Sequence, residues 1–161
     1  MGLFLIAITI WFSMAFYLAA CLGFLGYFHR GVQTFWTLSW LFFMLHFVAA
    51  YHFFHGWSQA HAYDYTEEVS GFGPGIYFTY LFTALWTGDV LWFWWDPKTY
   101  IGRPRWVTIG VHAVLLFFIF NGTVVFTHGL ARALGVVLFV ALGGALVFSP
   151  RKHQATLSER A

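Results

Sequence analysis

Five long apolar segments constrain this chain more than any other feature of its sequence. Each is about as long as the ~20-residue helix that crosses the ~30 Å hydrocarbon core of a bilayer. Only 9% of the residues are charged, whereas a soluble domain carries about 25%. The sequence therefore predicts an all-α integral membrane protein, in which residues 1–150 form one bundle of five transmembrane helices and residues 151–161 a polar cytoplasmic tail. The five predicted spans are residues 3–28, 34–56, 75–95, 106–127 and 133–148.

Basic residues predict the orientation of the bundle, because cytoplasmic loops carry an excess of Lys and Arg. With the N-terminus outside and the C-terminus cytoplasmic, only Arg132 falls on the outer side. The remaining basic residues fall on the cytoplasmic side: Arg30, Lys98, Arg103, Arg105, Arg151, Lys152 and Arg160. We expect a multi-pass protein of a plasma or inner membrane, with the lipid bilayer as its first partner. The net charge of +2 is too small to indicate a nucleic-acid partner.

Several residues have roles that follow from this topology. Arg103 and Arg105 are expected to contact inner-leaflet phosphates. The small residues of the fifth segment, among them Gly135, Gly143 and Gly144, suit close packing against a neighbouring helix. An aromatic belt at the inner interface is predicted from Trp36, Trp92, Trp94, Trp95 and Trp106.

The stretch HFFHGWSQAHAYDYTEE, residues 52–68, holds three of the eight histidines and three of the six acids. His52 and His55 are neighbours on one helix face. If the helix continues past Gly56, a second face carries a histidine and two acids at spacings of three and four. Imidazole and carboxylate ligands suit several transition metals. The predicted metal ligands are His52, His55, His61, Asp64 and Glu68, joined by His128 from another helix; the alternative is a solvated helix extension.

Three ionisable residues lie in the predicted membrane interior, where such side chains are rare unless they are paired or face a cavity. They are His46, Asp89 and His112, and they are the predicted cofactor-binding residues. Asp89 and His112 reach a similar depth, so we expect a hydrogen bond between them. That bond would orient His112 as a haem or metal ligand, relay protons, or clasp two helices. Asn121 shares a helix face with His128, seven residues on, and is expected to line an outer cavity.

Three functions are consistent with these patterns. The first is a metal- or haem-binding protein with its site at the outer ends of the second to fourth spans, whose cofactor is copper, zinc, iron or haem; redox or electron-transfer work would follow. The second is a non-catalytic accessory subunit that packs against other membrane subunits. The third is a proton or metal-ion carrier that uses the interior residues. The single cysteine, Cys21, excludes an intrachain disulfide and a Cys-based zinc site.

Overall fold

The computed structural model describes residues 1–150, and secondary structure within this range is entirely helical. A π-helical turn, Ala50–Phe54, extends the second helix, and another, Asn121–Val125, extends the sixth. The predicted tail, residues 151–161, lies outside the described residues. The α-helices of residues 1–150 are α1 (Gly2–Phe24), α2 (Val32–Ala49), α3 (Gln59–Ser70), α4 (Gly75–Trp95), α5 (Pro97–Ile101), α6 (Arg105–Phe120) and α7 (Gly129–Val147).

Four helices of the described chain are long and apolar enough to cross a membrane. They are Gly2–Phe24, Val32–Phe54, Arg105–Val125 and Gly129–Val147. Each matches a predicted segment to within a few residues. The remaining predicted span coincides with α4, which is not one of these four helices. Residues 1–150 are thus all-helical and have the character of a multi-pass membrane protein.

The five longest helices form a ring. α1 packs against α2 and α7, α4 packs against α2 and α6, and the π-turn of α6 closes the ring on α7. α1 and α2 run antiparallel, and the Ser13 and Ser39 hydroxyls each donate to the other residue's carbonyl at 2.8 Å. α2 and α6 run in the same direction, so both π-turns lie at one end of the ring. We call this the α3 end, and the opposite end the α5 end.

The centre of the ring is aromatic. Tyr17, Trp36 and Trp86 are fully buried, and the ring centroids of the two tryptophans lie 5.5 Å apart. The prediction that Trp36 belongs to an interfacial belt is therefore wrong. Its indole is shielded by three neighbouring helices, whereas Trp95 and Trp106 are 92% and 74% exposed, as an interfacial position requires.

The chain turns sharply between α2 and α3. Gly56 and Trp57 both have positive φ, +57° and +60°, and the Ser58 side chain accepts from the His61 N–H to begin α3. Residues 59–70 are consequently a separate helix and do not continue α2. A left-handed conformation is unusual for a residue as bulky as tryptophan, and the Trp57 indole Nε1 donates to His52 Nδ1 at 3.2 Å.

Candidate functional site

A cavity of about 830 Å³ lies toward the α3 end of the ring. It receives side chains from α1, α2, α3, α4, α6 and α7. Its volume falls within the range of small-molecule and cofactor sites, roughly 300–1,000 Å³. No Asp, Glu, Lys or Arg is among the described residues that line it. The aromatic part of its wall consists of Trp11, Phe43, Tyr65, Phe72, Phe78, Phe82, Phe117, Phe118 and Phe126.

His46 is the single histidine among the described lining residues of this cavity. Its Nδ1 lies 2.8 Å from the backbone carbonyl oxygen of Ile6 in α1. Because a carbonyl oxygen only accepts, Nδ1 must carry the proton, and the neutral ring keeps its lone pair on Nε2. No described residue hydrogen-bonds to Nε2. The tether to Ile6 thus fixes both the tautomer and the orientation of the imidazole.

Asn121, which belongs to the π-turn after α6, also lines the cavity, but His128, which is expected from the sequence to share an outer cavity with it, does not. A π-turn inserts an extra residue into a helix and often occurs at functional sites. The side-chain amide of Asn121 donates to the Phe117 carbonyl at 2.7 Å, so its oxygen is left as an acceptor. His128 begins α7 as an exposed N-cap residue outside the described cavity wall.

The predicted metal ligands are only partly brought together. His55 and His61 face each other across the turn between α2 and α3, with their Nδ1 atoms 3.3 Å apart. Burial and the charge of His61 both lower the pKa of His55, which keeps the His55 ring neutral and able to bind a metal at neutral pH. His52 instead accepts from Trp57, while Asp64 and Glu68 are exposed on α3. Within residues 1–150 no group of three His, Cys, Asp or Glu side chains is close enough to hold one ion.

A second polar cluster lies at the α5 end, around Asp89. The carboxylate accepts from the Trp36 indole at 3.0 Å, from the Tyr100 hydroxyl at 2.7 Å and from the Arg103 guanidinium. Arg103 also donates to Thr108 at 2.9 Å and lies 3.9 Å from the centroid of the Tyr100 ring. Burial, followed by the charge of Asp89, raises the pKa of Tyr100, so Tyr100 donates as a neutral phenol.

The short helix α5 explains how Arg103 reaches this buried position. The Asp96 carboxylate accepts from the Thr99 N–H at 3.1 Å and Pro97 begins the helix, so the chain reverses immediately after α4. The hydrogen bonds from Thr99 lower the pKa of Asp96. The prediction that Arg103 contacts lipid phosphates is therefore wrong, because its side chain is 3% exposed. Arg105 is exposed, so its contact with inner-leaflet phosphates stays a prediction.

His112 does not form the predicted hydrogen bond with Asp89. The carboxylate accepts from Trp36, Tyr100 and Arg103, and His112 Nδ1 lies 3.2 Å from the Tyr17 hydroxyl instead. The His112 ring packs among aromatic rings, with the Trp36 centroid at 5.3 Å. The three predicted cofactor residues thus divide into His46, on the cavity, and Asp89 and His112, in the aromatic core.

Two features of these sites have little or no signal in the sequence. The partner of His46 is a backbone carbonyl, which every residue possesses, so nothing marks Ile6. Tyr100 and Arg103 look like ordinary loop residues, although an Arg placed 14 residues after a membrane-depth Asp is a natural counter-ion for it. Unpaired burial of that carboxylate would be very costly.

The fold and its two polar clusters define a class, an all-helical chain of membrane-protein character with an uncharged aromatic cavity between its helices. Comparison with known proteins adds no relative, since no protein-family model, no curated protein and no solved structure matches the chain.

Proposed function

We propose that this protein binds a neutral lipophilic molecule in the cavity at the α3 end, with His46 as its polar contact. One observation carries the proposal: the imidazole is tethered to Ile6 through Nδ1, in the wall of a cavity of about 830 Å³ that has no charged side chain among its described lining residues. A concave site with largely apolar walls and a few oriented polar groups is typical of ligand and cofactor pockets.

The proposal refines the predicted cofactor site. A histidine whose Nδ1–H is bound to a carbonyl is also the usual arrangement of a haem or metal ligand. A haem brings two propionates, however, and the described cavity wall offers them no Lys or Arg. We therefore place a neutral ligand ahead of haem, and redox or electron-transfer work would follow only from a redox-active ligand.

Two substitutions on one helix test the proposal. Ala131 lines the cavity, whereas Ala133, two residues later on α7, is exposed and outside the described wall. Ala131→Phe should place a ring in the cavity and obstruct part of it, and Ala133→Phe should not. Organic extraction and mass spectrometry of purified protein should then recover a neutral lipophile from the wild type and Ala133→Phe, and much less from Ala131→Phe.

Equal recovery from Ala131→Phe and Ala133→Phe would contradict a site in this cavity. An absorption spectrum and elemental analysis of the same samples distinguish a neutral ligand from haem and from an empty accessory subunit. A Soret band that is lost with His46→Phe would replace the neutral ligand with haem. Protein without a bound molecule that co-purifies stoichiometrically with other membrane proteins would favour the accessory-subunit function.

His55 and His61 support a second candidate, a transition-metal site. Two nitrogens bound to one tetrahedral zinc at about 2.0–2.1 Å lie roughly 3.3 Å apart, and the Nδ1 separation is 3.3 Å. Zn²⁺ titrated into the purified protein should bind wild type and His128→Gln equally. Loss of binding in His55→Gln and His61→Gln supports the pair. Loss in His128→Gln would instead restore the larger predicted ligand set.

An ion carrier that uses Asp89 has less support. The carboxylate is balanced by Arg103 and held by two further donors, and releasing it would leave a buried charge unpaired.

For the membrane topology we propose that α4 is the fifth span, with the N-terminus outside a plasma or inner membrane. Its 21 residues cover about 31 Å at 1.5 Å per residue, and the excess of basic residues at the α5 end supports this orientation.

A further inference from the structure

The hydrogen-bonding character of His46 restricts what the cavity can bind, and this inference rests on the proposed function. With Nδ1 committed to the Ile6 carbonyl, a neutral His46 offers only the Nε2 lone pair. No carboxylate is among the described lining residues to balance an imidazolium. A ligand that contacts His46 must therefore donate a hydrogen bond. A ketone, an ether or an ester, which only accept, would leave Nε2 unpaired.

Most other polar groups of the cavity wall also offer a ligand an acceptor rather than a donor. In each group the side-chain O–H or N–H donates to a backbone carbonyl four or five residues earlier in the chain. The side-chain oxygen is then left to accept a hydrogen bond from a ligand. These groups are Thr66, Ser70, Asn121, Thr123 and Thr127, of which Ser70 already accepts from the Phe72 N–H at 3.2 Å. Three lining side chains, Trp11, Tyr65 and Thr79, make no hydrogen bond with the described residues and can also donate. A hydroxyl, which both donates and accepts, suits this mixture better than a carbonyl.

The apolar and aromatic residues of the cavity wall indicate the chemistry of the rest of the ligand. Because the described lining residues carry no charge, a fatty-acid carboxylate or an ammonium group would be buried without a counter-ion. Nine aromatic side chains favour a ring, which gains from offset or edge-to-face contacts beyond simple burial. Phe43 and Phe82, whose centroids lie 5.0 Å apart at 81°, already pack in this manner.

We infer that the ligand is a neutral lipophilic phenol, a class that includes hydroquinones, and that its hydroxyl donates to Nε2 of His46. The ring lies among the aromatic side chains, and an alkyl portion occupies the apolar remainder of the cavity. Binding makes and breaks no covalent bond. The same molecule with its hydroxyl oxidised to a carbonyl or capped as an ether loses the contact with His46.

A pair of probes that differ at one oxygen tests the inference. 4-Nonylphenol donates a hydrogen bond and 4-nonylanisole does not, while both are neutral and similarly apolar. Equilibrium dialysis against protein in lipid nanodiscs, with empty nanodiscs to subtract partition into lipid, measures saturable binding. Wild type should bind the phenol about 3- to 10-fold more tightly than the ether, the difference that one net hydrogen bond supplies. His46→Phe should abolish that preference and His29→Phe, on an exposed loop, should not.

The outcomes separate this inference from the proposed function. Equal saturable binding of both probes, sensitive to Ala131→Phe but not to His46→Phe, would overturn the phenol and leave a lipophile-binding cavity. Preference for the ether would also overturn it. Absence of saturable binding to the wild type would remove both proposals. A His46→Phe protein with an unchanged unfolding temperature that still prefers the phenol would show that another group receives the hydroxyl.

Discussion

Asp89 shows how one residue can determine the arrangement of several helices. Its carboxylate, from α4, accepts donors that come from α2, α5 and the segment before α6. An ionised group at this depth is tolerated only when it is paired and fully hydrogen-bonded. Asp89, Arg103 and Tyr100 therefore act as a polar clasp at the α5 end of the ring.

Breaking this clasp from one side should be costly. Asp89→Asn leaves the Arg103 guanidinium buried without its counter-ion, and we expect a loss of about 3–5 kcal/mol in the free energy of unfolding. Denaturant titration in mixed micelles measures it, with the exposed Asp64→Asn as a control. Asp89→Asn combined with Arg103→Met should cost less than the two single substitutions added together. Additive costs would mean that the two charges do not depend on each other.

His55 offers a test of the histidine pair by titration. Burial and His61 lower the pKa of His55 in the folded protein, so the folded state binds a proton less readily than the unfolded chain, whose histidines titrate near 6.5. This linkage makes the folded state lose stability as pH falls through about 6.5 toward the lowered folded value. His61→Gln should raise the pKa of His55 without restoring it fully, because burial remains.

The measurement is NMR of histidine-labelled protein in micelles, with the His55 resonance assigned by its loss in His55→Gln. His52→Gln serves as the control, since the His52 imidazole contacts Trp57 rather than His55. If His61→Gln leaves the His55 titration unchanged, the two rings are not neighbours in solution. The two-histidine metal candidate would then lose its geometric basis.

At the scale of helices, close packing in α7 depends on Gly135 but not on Gly143 or Gly144. A Cβ added to Gly135 would lie 2.6 Å from the Thr123 carbonyl oxygen, in the π-turn after α6. Nothing lies within 4 Å of a Cβ added to Gly143 or Gly144. The expectation that these two glycines permit a close helix contact is therefore wrong.

These two environments make a matched pair of substitutions. Gly135→Ala should destabilise the protein by roughly 1–3 kcal/mol, because a backbone oxygen cannot move aside without shifting the π-turn. Gly143→Ala should be neutral or stabilising by up to about 1 kcal/mol, because alanine is the better helix former and the space is open. Denaturant titration in mixed micelles measures the free energy of unfolding of both variants. Equal effects would contradict the close contact between α7 and the π-turn.

Some elements could be predicted closely from the sequence, and others could not. The 75–95 segment coincides with α4 because Pro74 and Pro97 bracket it, and proline interrupts helices. Residues 57–68 could be read either as a continuation of α2 or as a separate helix. The deciding feature is the left-handed conformation of Trp57, which no propensity favours, so the sequence left that question open.

At the scale of the molecule, the arrangement of helices around the ring decides which polar residues meet. Depth along a helix can be estimated from the sequence, and it placed Asp89 and His112 at a similar level. Rotation about each helix axis is not available in a chain that is apolar on all faces, because no hydrophobic stripe marks the interior. For this reason the sequence marks the ionisable residues but not their partners, and the His46 cavity appears only once six helices are assembled.

The proposed topology can be tested on the whole protein in cells. With Cys21→Ser as background, single cysteines at Glu67 in α3 and Lys98 in α5 lie on exposed positions at opposite ends of the ring. If α4 spans the membrane and the N-terminus is outside, a membrane-impermeant maleimide should label Glu67→Cys in intact cells or spheroplasts. Lys98→Cys should be labelled only after permeabilisation, because the basic α5 end faces the cytoplasm. Labelling of both from outside would show that α4 does not cross, and labelling of Lys98→Cys alone would invert the orientation.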